Sequence, residues 1–218
     1  MPRKLFVSDL ATLAGKTCYP PLEDIKTRYK SHRLGKNKYI SDFKLAKLRR
    51  GEISIESVAK EFNTDAPAIE GIMSEVDATN EIAEDMGLEA VEGGQSNRHF
   101  LYDAEEGKII REVRLIMKVD NFTIYGRCDG IAMKDGELIV LEYKRRTKKF
   151  KGICPWDKVQ ITFYMKMANA NKCIFHETFN GDSRSYEYNF DEDEYNEYLS
   201  TIKQTIYEFD NPPTFDDE

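Results

Sequence analysis

Two carboxylates and a lysine stand where consecutive predicted strands end, and together they could cleave phosphodiesters. Asp129 ends one apolar segment, and Glu142 and Lys144 end the next. Side chains two apart on a strand share a face, and the tight turn between the segments brings Asp129 toward Glu142. Such oxygen ligands suit Mg²⁺, with Mn²⁺ as a substitute, and a metal-bound water beside a lysine can attack a phosphodiester. The same residues also fit plain ion pairs at a sheet edge, Glu142 with Lys144 or Asp129 with Arg127.

The elements that position these residues follow from the spacing of apolar side chains. Alternation predicts a meander of three strands over 109–119, 122–133 and 137–144. Helical spacing then predicts a helix over 155–169, followed by strands over 173–179 and 185–190 and a helix over 191–209. Upstream, capping residues and helical spacing predict helices over 8–14, 22–32, 41–50, 54–62 and 65–86. This order predicts an α+β (mixed α/β) fold with a central mixed β-sheet flanked by helices.

The chain reads as one domain because no linker divides it. We predict a single domain over 1–209, made of a helical N-terminal part (1–64), a core (65–190) and a C-terminal helix (191–209). Residues 210–218 form an acidic tail, which we predict to be disordered.

Charge is distributed unevenly along the 218 residues. The net charge of −7 by itself argues against a nucleic-acid partner. However, residues 1–50 carry a net charge of +9 and residues 187–218 a net charge of −10. The acidic C-terminal segment therefore masks the more basic character of the rest of the chain. No apolar run is long enough to cross a membrane. The four cysteines are too scattered for disulfides or zinc, so we expect a reducing intracellular compartment, either cytoplasm or nucleus.

The segment around these candidates resembles the signature of PD-(D/E)xK nucleases. Twelve residues separate Asp129 from Glu142, which opens Glu-x-Lys with Lys144. Gln160 and Tyr164 then resemble the Q-x-x-x-Y-M motif of the lambda-exonuclease (YqaJ-type viral recombinase) branch. The resemblance implies a restriction-endonuclease-like core in which Lys144 positions or activates the water. It also implies that Gln160 and Tyr164 orient Lys144 and the site.

The resemblance also implies a set of metal ligands. Gly71 and Glu75 are similar to the branch's G-x-x-x-E, whose glutamate completes the metal site. The implied ligands are Glu75, Asp129, Glu142 and the main-chain carbonyl of Tyr143. If the register differs, the rivals of Glu75 are Glu70, Glu81 and Glu84. Related enzymes with an iron–sulfur cluster have three cysteines clustered near the C-terminus, and since this chain lacks them we predict no such cluster.

Two basic groups are predicted to contact DNA. Ser8 with Arg3 or Lys4 resembles the family's site for a 5′-phosphate, although Ser8 also fits a simple N-cap. A basic run after the catalytic strand could follow the DNA backbone, or be a solvated loop. Its members are Arg145, Arg146, Lys148, Lys149 and Lys151. Trp156, by contrast, is expected to be a packing residue.

The resemblance implies a Mg²⁺-dependent exonuclease that degrades duplex DNA from its ends, 5′→3′, in viral or phage recombination or DNA processing. The alternatives are a RecB-like endonuclease or 3′→5′ exonuclease, and a catalytically silent module that binds DNA or protein. A single-strand annealing protein is the implied partner. A ring-shaped homo-oligomer is the implied assembly.

Overall fold

A single mixed sheet organises the chain. The computed structural model describes residues 3–31, 44, 47–48, 50–62, 64–91 and 106–211. Seven strands form the sheet within these residues: β1 (Arg3–Phe6), β2 (Glu89–Val91), β3 (Lys108–Val119), β4 (Phe122–Lys134), β5 (Glu137–Arg145), β6 (Lys172–Phe179) and β7 (Asp182–Asn189). The helices are α1 (Val7–Leu13), α2 (Leu22–Ser31), α3 (Ile55–Phe62), α4 (Ala66–Met86), α5 (Pro155–Ala168) and α6 (Glu192–Asp210). The predicted mixed α/β class with a helix-flanked sheet is therefore confirmed.

The topology leaves a gap along one edge of β4. The strand order is β2-β3-β4-β5-β6-β7, with β3, β4 and β5 antiparallel and β6 parallel to β5. On its β5 side, β4 pairs with β5 only over residues 130–134, and with the parallel strand β1 over 122–125. Residues 126–129 of β4 lie between these two paired stretches. The candidate active site is built around this gap.

Helices cover both faces of the sheet beside the gap. Val140 of β5 packs into the core that contains α1, α5 and α6, whereas Leu141 packs against Ile82 of α4 in a second cluster. Strand β5 is therefore buried on both faces, as its apolar run predicts. Helix α5 ends at Asn169, which takes the left-handed conformation of a C-cap.

The structure departs from the sequence predictions mainly at the N-terminus. Strands β1 and β2 were missed, because each is only three or four residues long and is held by its pairing with a longer strand. The N-terminal part is thus not purely helical. Ser8 is not the N-cap of α1, since the helix begins at Val7 after Phe6. The helix predicted over 41–50 lies largely outside the described residues, as do residues 212–218 of the predicted tail.

Within the described residues, no helix has the length and apolar character needed to cross a membrane.

Candidate active site

Asp129 lies where β4 and β5 separate. Its carboxylate Oδ2 accepts a hydrogen bond from the backbone N–H of Tyr143 at 2.6 Å. The last β4–β5 pair is Gly130 with Leu141, so this carboxylate takes the place of the next strand carbonyl. Asp129 is therefore held by the strand that carries the other two candidate residues.

Glu142 and Lys144 form a direct ion pair on β5. The Lys144 ammonium donates to Glu142 Oε1, and the Glu142 side chain is 2% exposed against 27% for Lys144. The second oxygen of Glu142, Oε2, is buried and has no hydrogen-bond partner among the described residues. A buried carboxylate oxygen left unpaired is costly, so this position fits a cationic ligand.

The carboxylates of the site perturb one another. Burial, and then the charge of Asp129, raise the pKa of Glu142 to about 8, against the opposing effect of Lys144. Burial also raises the pKa of Asp129, although Lys144 and the Tyr143 N–H oppose that shift. Lys144 responds in the opposite sense: burial disfavours its charge, but Glu142 and Asp129 outweigh burial and raise its pKa. In this state Lys144 is a cation.

Glu75 is the glutamate of α4 that joins this group. Burial, and then the charges of Asp129 and Glu142, raise its pKa to about 9, opposed by Arg127 and Lys144. Glu75 and Lys144 also line one cavity of about 240 Å³. The rivals are engaged elsewhere or exposed: Glu70 pairs with Arg145 at 2.8 Å, Glu81 accepts from Ser183, and Glu84 is exposed. The helix register therefore favours Glu75.

Whether these residues fit a divalent cation depends on the donor set. Across the described part of the chain, no three His, Cys, Asp or Glu side chains are assembled closely enough to hold a metal ion. Mg²⁺ is usually held by one or two carboxylates and keeps several waters, so it does not need such a cluster. Carboxylates that bind a cation are expected to have raised pKa values when the cation is absent. Glu75 and Glu142 have raised pKa values, and Glu142 Oε2 has no hydrogen-bond partner among the described residues. The residues therefore fit Mg²⁺.

Tyr164 supports the strand that carries Asp129. Its hydroxyl donates to the Arg127 carbonyl at 2.8 Å, inside the unpaired gap of β4. Burial raises the pKa of Tyr164, so the hydroxyl keeps its proton. The Gln160 amide contacts the same hydroxyl at 3.3 Å. The hydrogen bonds found for Gln160 and Tyr164 thus run to the strand of Asp129, which agrees with a role in orienting the site, and their predicted role in orienting Lys144 stays a prediction.

The basic loop after β5 splits into two kinds of residue. Arg146, predicted to contact DNA, is only 10% exposed and pairs with Asp157 at 2.8 Å and Glu177 at 2.9 Å. Glu177 also accepts the backbone N–H groups of Lys151 and Gly152. Arg146 therefore holds the loop in place through buried ion pairs. Because its side chain is buried, it does not fit the predicted contact with the DNA backbone. The predicted contacts that remain on the surface are Arg145, Lys148, Lys149 and Lys151.

The predicted 5′-phosphate group is not assembled. Arg3 pairs with Asp210 and lies over the ring of Tyr29 at 4.6 Å. Lys4 follows Arg3 on β1, and the Lys4 ammonium lies over the Tyr125 ring at 5.6 Å. Ser8 is exposed on α1 and lines a different cavity, beside Gln160. Alternation along β1 places the side chains of Arg3 and Lys4 on opposite faces of the strand.

Sequence reasoning named Arg127 only as an ion-pair partner of Asp129, and it missed Gly126. Arg127 opposes the raised pKa values of Glu75 and Asp129, and its place two residues before Asp129 on the same strand was an available signal. Gly126 lets the Tyr164 ring approach β4, because a Cβ there would lie 2.6 Å from Tyr164 Cε1. No sequence pattern indicates that approach, since α5 and β4 meet only in the folded chain.

The arrangement of the sheet and its helices is shared with several solved structures. An alkaline exonuclease (LHK-Exo) from Laribacter hongkongensis shares it with a TM-score of 0.53 and 12% identity, over 95% of this chain and 88% of that one. LHK-Exo in complex with dAMP gives a TM-score of 0.54 and 13% identity over the same shares. The crystal structure of SSO0001 gives 0.53 and 19%, over 99% of this chain and 80% of that one. No family model and no curated protein sequence matches the chain.

Proposed function

We propose that this protein is a Mg²⁺-dependent deoxyribonuclease that degrades duplex DNA from its ends, in the 5′→3′ direction. The observation that carries the proposal is the placement of Glu142 and Lys144 on β5 beside Asp129, which is bonded to the same strand. The fold shared with an alkaline exonuclease supports the choice of substrate class.

The proposed chemistry assigns a task to each residue of the group. The proposed ligands are Glu75, Asp129, Glu142 and the Tyr143 carbonyl, of which one or two carboxylates would bind the cation directly and the others would contact its waters. When bound, the cation lowers the pKa of a coordinated water and polarises the phosphodiester. Lys144, held as a cation by its neighbours, orients the water and stabilises charge on the phosphoryl oxygens. Tyr164 and Gln160 keep the Asp129 strand in register with β5.

Surface cations near the site provide the proposed DNA contacts. Lys148, Lys149 and Lys151 are exposed on the loop that Glu177 and Arg146 hold in place. Because such contacts act by releasing counterions, DNA binding should weaken steeply with salt. Arg145 forms an ion pair with Glu70. It would contact DNA together with the three lysines if DNA displaced the Glu70 carboxylate.

The proposed setting is viral or phage-type recombination or DNA processing within a reducing compartment, cytoplasmic or nuclear. A single-strand annealing protein is the proposed partner. A ring of identical subunits is the proposed assembly, since a ring would keep the enzyme on its substrate.

The test is digestion of linear duplex DNA labelled at the 5′ or the 3′ end, with Mg²⁺ and with EDTA. Closed circular DNA and the Lys144→Ala protein are run alongside. Early release of 5′ label with intact circles supports the proposal, whereas early release of 3′ label reverses the polarity. Cut circles would indicate a RecB-like endonuclease. A folded protein that cleaves none of these substrates would be a silent binding module.

A further inference from the structure

A second cavity lies beside the active site, and two exposed aromatic side chains are on its rim. It has a volume of about 260 Å³ and lies between α1, the segment that follows α1, and α5. Trp156 is 38% exposed and Tyr19 is 80% exposed, so both rings are accessible to a ligand. The polar lining consists of Ser8, Thr17 and Gln160.

Gln160 connects this cavity to β4, the strand that carries Asp129. Its amide reaches the Tyr164 hydroxyl at 3.3 Å, and that hydroxyl bonds the Arg127 carbonyl at 2.8 Å. Asp129 lies two residues further along β4. A group bound in the cavity would therefore touch the hydrogen-bonded chain that supports the site.

The side chains that line this cavity suit a neutral, flat ligand. Among the described side chains that line the cavity, none is charged, so a phosphate finds no counter-charge inside it. An aromatic face with hydroxyl and amide groups is suited to a nucleobase, which stacks and forms hydrogen bonds at its edge. The volume is below the roughly 300–1,000 Å³ of sites for drug-sized molecules, which suits a single base. Lys151 Nζ lies 5.6 Å from the Trp156 ring and provides a cation for the phosphate outside.

We propose that this cavity is a nucleobase subsite, in which the unpaired base at the end of a DNA strand stacks on Trp156 and Tyr19. Gln160, Ser8 and Thr17 would contact the edge of the base. This inference rests on the proposed function, because it takes the strand terminus as the occupant. It adds a subsite that holds the terminal nucleotide through its base.

The chain contains one tryptophan and twelve tyrosines, so fluorescence excited selectively at tryptophan reports on Trp156 alone. The experiment uses the Lys144→Ala protein with Mg²⁺, which removes the proposed cleavage. The first probe is a labelled duplex with one unpaired terminal nucleotide, and the second is the same duplex with an abasic residue there. Labelled-DNA anisotropy measures affinity while Trp156 emission is recorded. We expect the first probe to quench the emission and to bind about 5- to 100-fold more tightly than the abasic probe.

Variants separate stacking from a general loss of structure. Trp156→Ala in the same background should lose the preference for the base, and Trp156→Phe should keep most of it. The matched control is Tyr207→Ala, because Tyr207 is a 61% exposed aromatic residue that lines another cavity. Thermal melts of each variant verify folding.

The outcomes distinguish this inference from the proposed function. Unchanged Trp156 emission at saturating DNA, or equal affinity for both probes, overturns the subsite. If the wild-type protein nevertheless digests labelled duplex, the proposed function stands without it. Quenching with base preference but no cleavage by the wild type supports the subsite and contradicts the nuclease. Failure to bind either probe overturns the subsite and, without cleavage, the nuclease as well.

Discussion

The Tyr164 hydroxyl donates a hydrogen bond to the Arg127 carbonyl at 2.8 Å, in the stretch of β4 that neither β1 nor β5 pairs. Strand carbonyls require hydrogen-bond donors, and α5 provides one to β4 at this point. The bond lies two residues before Asp129. Helix α5, which follows β5, thereby fixes β4, the strand that carries Asp129.

Removing this hydroxyl should damage both stability and activity. Tyr164→Phe removes the hydrogen bond to the Arg127 carbonyl, which should lower the free energy of unfolding by about 0.5–1.5 kcal/mol. Cleavage should also slow, because the position of Asp129 is no longer fixed. Urea denaturation and single-turnover cleavage measure the two effects. Tyr198→Phe is the matched control, since the buried Tyr198 bonds Glu194 on α6, away from the site. Equal activity losses in both variants would contradict the specific role of Tyr164.

Adding one methyl group at Gly126 should disturb the same contact. The new Cβ would lie 2.6 Å from Tyr164 Cε1 and 2.7 Å from Val7 Cγ2, so the helix or the strand has to shift. We expect Gly126→Ala to lower the free energy of unfolding by about 1–3 kcal/mol. Gly71→Ala is the control, because among the described residues no atom beyond its chain neighbours and helix backbone lies within 4 Å of the added Cβ, and alanine favours the helix. A Gly126→Ala protein as stable as Gly71→Ala would refute the close approach.

Lys144→Ala should abolish cleavage and leave a folded protein. Loss of a group that positions water and stabilises charge should reduce the cleavage rate about 10²- to 10⁴-fold. The fold should survive because Glu142, whose pKa is already about 8, can take up a proton when its partner is removed. Lys172→Ala is the control, since Lys172 pairs with Glu187 at 3.3 Å on the surface strands β6 and β7. Normal cleavage by folded Lys144→Ala would exclude the proposed mechanism.

The stability of the metal-free protein should depend on pH in a direction set by the two glutamates. The pKa values of Glu75 and Glu142 rise from 4.5 to about 9 and about 8 in the folded protein. A carboxyl group with a raised pKa stabilises the fold fully below its unfolded value, and this contribution is lost as the pH rises through the folded value. Stability in EDTA should therefore fall as the pH rises from about 4.5 toward about 9.

Mg²⁺ should reverse this loss, and most strongly at the alkaline end, where protons no longer compete for the carboxylates. Thermal unfolding with Mg²⁺ and with EDTA across this range measures the effect. Glu142→Gln should weaken the response to Mg²⁺, whereas Glu84→Gln, at an exposed position on α4, should leave it unchanged. An equal Mg²⁺ effect at every pH would contradict the coupling.

Two neighbouring arginines should differ in their effect on stability. Arg146→Ala leaves the buried carboxylates of Asp157 and Glu177 without their cation, which should lower the free energy of unfolding by about 3–5 kcal/mol. Arg145→Ala removes an exposed pair with Glu70, for which about 0–1 kcal/mol is expected. Urea denaturation of both variants provides the comparison. Similar values for the two would show that Arg146 does not anchor the loop.

The sequence by itself determined the elements around the site. Strands 109–119, 122–133 and 137–144 and the helices at 65–86 and 155–169 agree with the structure to within two residues. Their periodicity is long and regular, so local pattern was enough. The same spacing singled out Asp129, Glu142 and Lys144, because alternation and a tight turn are local features.

Only the tertiary structure decided what surrounds them. The short strand β1 exists through its pairing with β4, and the gap between β1 and β5 makes room for the bond from Tyr164 to Arg127. The burial of Arg146 depends on carboxylates that lie 11 and 31 residues away in the chain. Contacts between distant segments leave no periodic trace in the sequence. For that reason the exposure of Trp156 and the role of Tyr164 emerged only from the folded chain.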